Sequence, residues 1–297
     1  MSTEHSSPRY SSIDLWEAED IAESIIESQF SSAAAVRAVR REIAAAVLAM
    51  RARLQHGGRL IYAGAGTSGR LAVQDGTELT PTFGWPGDRL LLLIAGGEKA
   101  LSESVEGAED DAEQASRLIA DHAVTAQDVL IAVAASGTTP FTLACLREAK
   151  RRGALTLGIA NNPASPLLED SDHPIFLDTG SEPVAGSTRL KAGTAQKVAL
   201  NALSTALMIL LGKVYRGLMV DVRPTNEKLR KRSEDILMQL TDSNRDEARE
   251  ALSQAHGSVT IAVMLLNGCD LESAKKALSD ANGRLGTALR RLGIKPS

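Results

Sequence analysis

Two short stretches of this 297-residue chain hold the residue types that grip an anion, and two carboxylates follow them in sequence. "GAGTSGR" (64–70) sets Gly64, Gly66 and Gly69 in a G-x-G-x-x-G spacing, with the hydroxyls of Thr67 and Ser68 inside the turn. "SGTTP" (136–140) offers Ser136, Gly137, Thr138 and Thr139 ahead of Pro140. Each follows an apolar run and is read as opening a helix. Helix N-terminal N–H groups and their partial positive charge suit a phosphate, and glycines let the backbone come close. For "SGTTP" the plain alternative is a cap, with Ser136 capping and Pro140 in the first turn. A third stretch, "AGSTRLKAGTAQK" (185–197), has Ser187 and Thr188 as candidate caps. Lys191, Thr194 and Lys197 then recur every three residues along one broad face. A capped helix with a polar side and a further set of substrate contacts both fit that pattern.

Glu78 stands in "QDGTELTP" (74–81), between the expected end of the first loop's helix and Pro81. Spacing alone reads it as a solvated turn carboxylate. Glu109 borders the apolar stripe Leu101, Val105, Ala108, Ala112, Ala115 and Ile119 of the acidic stretch "ESVEGAEDDAE" (103–113), read as a charged helix face. Nothing in the spacing separates it from its acidic neighbours. Two carboxylates whose environments hold them in different protonation states can divide general acid and base work. A dinucleotide site would need an acid about 20 residues past its glycines, at the end of the second strand. The nearest, Glu98, comes 29 residues after Gly69 and beyond two further glycines. Two hydroxyl-rich loops suit a small phosphorylated polyol better.

The elements that must position these residues are legible as runs. Helices are expected over 13–30 and 31–56; the second has Ala33, Val36, Val39, Ile43, Val47 and Met50 at helical spacing, closed by Gly57-Gly58. Strands are expected at 59–63, 90–95, 128–135, 155–160 and 173–179, with helical patterns between most of them. They are short and continuously apolar, as in a parallel sheet covered on both faces, which predicts a doubly wound α/β fold with five strands. In such a sheet ligands bind beyond the C-terminal strand ends, where the strand order reverses. A long helix is expected over 188–214. The tail repeats at an offset of 26: Ala248, Ala251, Leu252, Ala255, Gly257, Val259 and Ala262 align with Ala274, Ala277, Leu278, Ala281, Gly283, Leu285 and Ala288.

Composition narrows the function. Apolar residues make up 43%, aromatics 3%, and the formal charge is −4, which leaves no electrostatic footprint for nucleic acid. The basic cluster in "RPTNEKLRKR" (223–232) is diluted by Glu227, Glu234 and Asp235 and reads as a solvated helix face. Cys145 and Cys269 sit among apolar or small residues and read as buried thiols. The five histidines form no pair at ligand spacing, so no metal is expected. No apolar leader opens the chain, and the stretch at 198–211 is broken by Asn201, Ser204 and Thr205, so neither export nor a membrane span is expected.

The loops "GAGTSGR" and "AASGTTP" resemble those of the sugar isomerase (SIS) domain. "LIAGGE", "VEGAED", "RLKAGTAQK", "NALSTALMI" and "LMVDVRPTNEKL" resemble one branch of it, the N-acetylmuramic acid 6-phosphate etherases, over nearly the whole chain. "TEHSSPRYSSID" is similar to a degraded form of that family's start. The resemblance implies a flavodoxin-like SIS domain over 58–235, N-terminal helices (1–57) packed on it, and a small UBA-like helical domain over 244–297. It implies cleavage, with water, of the ether joining D-lactate to C3 of N-acetylmuramic acid 6-phosphate, in cytoplasmic recycling of cell-wall amino sugar. The proton donor maps onto Glu78, in "TELTPT" where the family has "SECPPT", and the second carboxylate onto Glu109 in "VEGAED". Substrate contacts fall on Gly66, Thr67, Ser68, Ser136, Gly137, Thr138, Thr139, Ser187 and Lys191. The resemblance implies no cofactor and no metal, a small-molecule phosphosugar substrate, and a homodimer with the site near the subunit interface. Two departures stand out. Thr138 replaces the family's Arg in "ASGRTP", removing a bidentate phosphate contact, and Leu79 and Thr80 replace a Cys and a Pro. Neither removes a carboxylate. A phosphosugar isomerase and a non-catalytic sugar-phosphate sensor are the alternatives, since the fold alone does not decide function.

Overall fold

The computed structural model describes residues 2–221 and 227–294. Two helices, α1 (Ala18–Ala38) and α2 (Arg40–Leu54), precede the sheet. The break between them falls at Val39 rather than near residue 30, and residues 13–15 form a separate 3-10 turn. The run "SSAAAVRA" contains no breaker, so Ala and Ser carry the first helix onward.

Five apolar runs form β1 (Leu60–Gly64), β2 (Leu90–Ile94), β3 (Val129–Val133), β4 (Leu155–Ala160) and β5 (His173–Phe176). Between and after them lie α3 (Gly66–Phe83), α4 (Ala112–Asp121), α5 (Pro140–Arg151), α6 (Pro166–Asp170) and α7 (Lys191–Leu210). All four strand pairings are parallel, in the order β2-β1-β3-β4-β5, which is the doubly wound arrangement that the runs predict. β1 and β3 are buried along their whole length, as strands with helices on both faces must be. One core layer joins Ile61, Ala63, Leu130 and Ala132 to Ala115 and Ile119 of α4 and Phe141, Cys145 and Leu146 of α5. Cys145 is fully buried, and burial pushes its thiol up to about 12; Cys269 is only half-buried. Gly64 pairs with Val133, so the loops after β1 and β3 leave the sheet side by side at the switch point.

The chain divides into two compact units, Met1–Gly76 with Asp88–Ser204, and Thr77–Gly87 with Thr205–Ser297. In the second, the expected long helix gives way after Leu210 to a short hairpin, β6 (Val214–Tyr215) and β7 (Leu218–Met219). α8 (Glu227–Leu240), α9 (Arg245–Gln254), α10 (Val259–Leu266), α11 (Leu271–Asp280) and α12 (Leu285–Arg291) follow. The 26-residue repeat is α9–α10 against α11–α12. Ala248, Ala251, Ala255, Val259 and Ala262 are buried, and so are Ala274, Ala277, Ala281, Leu285 and Ala288. His256 and Asn282 both take positive φ just before the turn glycines Gly257 and Gly283. The helix that begins at Glu227 pairs Lys231 with Glu227 at 3.2 Å on its solvated side; residues 223–226 of the basic stretch, and 222–226 of "LMVDVRPTNEKL", lie outside the described residues. Among the described residues no helix is long and apolar enough to cross a membrane.

Candidate active site

The glycine spacing of the first loop is a packing requirement. A Cβ on Gly64 would stand 2.9 Å from Gly69 Cα, and one on Gly69 would stand 2.8 Å from the Gly64 carbonyl carbon, so the strand end and the first helical turn touch backbone to backbone. Gly66 lies between them at φ +52, and a Cβ there would meet Glu109 Oε1 at 2.8 Å. The Glu109 carboxylate therefore lies close to the start of α3, which begins at Gly66 rather than past the turn. N–H groups of a first helical turn have no partner within the helix, so this is an anion-facing end. Ser68 is buried there and Thr67 half-buried. The Thr67 methyl lies 3.6 Å from where a Cβ on Gly193 of α7 would stand, so the first turns of α3 and α7 are adjacent.

Glu109 is not on the helix face expected of "ESVEGAEDDAE". Gly107, at φ +73, breaks the run, Ala108–Asp110 form a 3-10 turn, and α4 starts only at Ala112, with Asp111 accepting from Gln114 N. Glu109 thus projects from a turn and is exposed.

In the second loop the N-cap of α5 is Thr139, whose side chain makes no capping bond to the helix, and not Ser136. Pro140 occupies the first helical position as expected. Ser136 Oγ instead accepts from Thr138 N at 3.2 Å, which tightens the turn through Gly137 at φ +70. A Cβ at Gly137 would overlap the Ser165 hydroxyl. Ser165 is only 4% exposed, and its Oγ has no hydrogen-bond partner among the described residues. Thr138, at the family's Arg position, is exposed.

At the third stretch the expected cap is replaced. Glu182, fully buried, accepts from Lys191 N and Ala192 N at 2.9 Å each, one carboxylate oxygen per N–H. Ser187 and Thr188 lie in the preceding turn, with Leu190 N bonded to Ser187 O at 3.1 Å. Lys191, Thr194 and Lys197 recur along α7 at the expected spacing, but they do not form one polar side open to a ligand. Lys191 is buried and donates from Nζ to Thr179 O at 2.7 Å, Thr194 bonds to Gln29 at 2.8 Å, and Lys197 is exposed. Burial pushes the Lys191 ammonium below its ordinary value, opposed by the Glu182 and Asp178 carboxylates. Sequence reasoning does not single out Glu182, Thr179, Asn161, Asn162 or Ser165. The one available signal is "NNPASP" after the fourth strand, a third polar loop at the same sheet edge. Asn161 donates to Leu177 O at 3.1 Å and accepts from Gln196 Nε2 at 2.9 Å, which leaves Gln196 Oε1 buried and without a partner among the described residues.

Glu78 is not in a turn. α3 runs on to Phe83 with Pro81 inside it, so Glu78 is a helical residue, exposed, beyond the point where the chain passes into the second unit. The helix ends through Gly84, at φ +63, whose N–H still reaches Thr80 O at 3.0 Å.

Comparison with known proteins agrees with this architecture. Residues 42–150 match the glucokinase regulatory protein N-terminal SIS domain, and residues 103–206 match the SIS domain. A solved structure of an Escherichia coli protein shares the fold at TM-score 0.50 and 19% identity, covering 68% of this chain and 97% of that one. Sequence relatives reach much further. A Deinococcus radiodurans N-acetylmuramic acid 6-phosphate etherase is 50% identical over 282 residues, 95% of this chain and 92% of that protein. A Streptomyces avermitilis protein of the same name is 44% identical over 290 residues, 97% of this chain and 93% of that one. With an SIS sheet, a Glu109 carboxylate close to the first glycine loop, and such identity over nearly its full length, this chain belongs to the N-acetylmuramic acid 6-phosphate etherase family.

Proposed function

We propose that the chain cleaves the D-lactyl ether of N-acetylmuramic acid 6-phosphate with water, giving N-acetylglucosamine 6-phosphate and D-lactate, in cytoplasmic recycling of cell-wall amino sugar. The observation that carries this is 50% identity over 282 residues to a protein of that name. The supporting geometry is a carboxylate beside an anion-facing helix start.

The C3 ether is inert in the closed ring. Opening the ring makes C1 an aldehyde and acidifies the C2 proton. Glu109 removes that proton as base. The resulting enolate expels the lactate oxygen as the C3–O bond breaks, and Glu78 supplies the proton to the departing oxygen. Water then adds its oxygen to C3 of the unsaturated aldehyde and a proton returns to C2, so one water is consumed overall. Gly66, Thr67, Ser68, Ser136, Gly137, Thr138, Thr139 and Ser187 hold the phosphate and sugar. Phosphate binding away from the reacting carbons supplies positioning energy. Lys191 acts from within the wall: its Nζ is committed to Thr179 O, so it orders the α7 start and adds positive charge near the enolate.

The same reading makes the protein a homodimer. Ile26 and Phe30, one turn apart on α1, are 60% and 73% exposed, and Leu15 is 80% exposed, which a second copy would cover. Incubation with N-acetylmuramic acid 6-phosphate and assay of D-lactate tests the reaction. Exchange of the C2 proton with no lactate released would point to a phosphosugar isomerase instead.

A further inference from the structure

The N-terminal segment reaches the sheet edge where the ligand loops lie. Thr3 is fully buried. Its Oγ1 accepts from Asn162 Nδ2 at 3.0 Å, and its N–H donates to Asn162 Oδ1 at 3.4 Å. The same Asn162 amide donates to Ala135 O at 2.9 Å, the residue before Ser136. On its other side the Thr3 carbonyl accepts from Gly186 N at 3.0 Å, the residue before Ser187. One side chain and one carbonyl therefore span the second ligand loop and the turn that leads into α7. Gly186 itself takes φ +76, and a Cβ there would meet Glu4 Oε2 at 3.0 Å, so the strap lies close along that turn.

We infer that Thr3 is a positioning residue for substrate binding: acting through Asn162 and Gly186, it fixes the separation of the Ser136–Thr139 loop and the Ser187 turn. This rests on the phosphosugar site proposed above. The Oγ1 of Thr3 is needed as an acceptor for an amide that already has a second partner. Replacing it with a methyl of the same shape removes that side-chain bond, loosening the tie while the Thr3 N–H and carbonyl bonds remain, without emptying the space.

The experiment compares Thr3→Val and Thr3→Ser with the wild-type chain. In the Val variant, KM for N-acetylmuramic acid 6-phosphate rises about fivefold to tenfold, as loss of one loop-ordering hydrogen bond allows, while kcat stays within about twofold. Thr3→Ser, which keeps the acceptor, restores KM. Amide hydrogen exchange in 135–140 and 184–190 speeds up in the Val variant and returns in the Ser variant. Unchanged exchange in either segment, or a loss carried by kcat alone, overturns the inference. Thr3→Ala is read by the same measurements should the Val variant fail to fold. If the wild-type chain releases no D-lactate, the etherase reading fails on its own, and the exchange comparison still decides the role of Thr3.

Discussion

The two edges of the one parallel sheet are both polar, and they handle that polarity in opposite ways. At the strand starts, Asp128 precedes β3 and Arg59 precedes β1. Asp128 accepts from Arg59 N at 2.9 Å, Arg59 Nη2 at 2.7 Å and Thr125 N at 2.9 Å, while Arg59 also donates to the His122 and Ala123 carbonyls at 2.9 and 3.0 Å. Asp172, ahead of β5, likewise accepts from Thr156 N at 2.9 Å and pairs with Lys150 at 3.0 Å. At the strand ends, Glu182 and the asparagines are satisfied. Among the described residues Ser165 Oγ and Gln196 Oε1 are not, and two glycine turns present helix N-termini. Buried polar groups are costly unless paired. One edge closes that cost within the protein; at the other, some buried oxygens stay unpaired among the described residues.

The largest expected effect lies at the two proposed catalytic carboxylates, Glu109 beside the first glycine loop and Glu78 farther along α3. Glu78→Gln and Glu109→Gln should each lower D-lactate release by about 10²–10⁴-fold, the usual span for a general acid or base. The first should keep exchange of the C2 proton with solvent deuterium and the second should lose it. Full lactate release by Glu78→Gln would remove it from the reaction.

At the closed edge, Asp128→Ala leaves the Arg59 charge without its partner and should cost about 3 kcal/mol of stability, read as a lower urea midpoint, with KM unchanged. The same group sets an acid limit. Burial raises the Asp128 carboxyl, but the Arg59 side-chain bond, the Arg59 and Thr125 N–H bonds and the Arg59 charge together hold it below the usual aspartate range. A depressed folded pKa gives stability that is complete above about pH 4 and is lost as pH falls through the folded value. Stability of the Asp128→Ala variant should fall less between about pH 4 and pH 2 than that of the wild-type chain. Equal acid slopes would show that the pair is not what holds this edge.

Smaller changes sharpen the open edge. Gly137→Ala forces a Cβ onto the Ser165 hydroxyl at positive φ and should cost about 1–3 kcal/mol, relieved in part when Ser165 is also alanine. A double-mutant cycle measures that relief. Ser165→Ala alone should shift stability by less than about 1 kcal/mol, because its hydroxyl has no bond to lose, yet raise KM. A larger stability loss with unchanged KM would make Ser165 part of a closed edge after all.

Much of this is readable in the residues. The five apolar runs give five parallel strands to within a few residues, because a strand buried on both faces admits little else. The tail's 26-residue offset returns as two matched helix pairs, down to the positive φ of His256 and Asn282, because both the buried alanines and the turn glycines repeat. The two hydroxyl-rich loops read as helix starts, and both do open helices, although α3 already begins at Gly66 within its loop and Thr139 rather than Ser136 caps α5. Caps and turns are less legible. The sequence puts Glu78 in a turn because Pro81 usually ends a helix, yet α3 continues to Phe83. It puts Glu109 on a helix that Gly107 in fact divides.

By itself, then, the sequence determined the sheet, its helices and the two glycine loops, since period and residue type are local properties that secondary structure reads directly. Only the tertiary structure decided which groups meet at the sheet edge. Glu182 caps α7 from nine residues before Lys191, Glu109 reaches Gly66 from 43 residues away in the numbering, and Thr3 finds Asn162 across a separation of 159. Such meetings follow from how strands and loops converge in space. No local pattern in residue type encodes them.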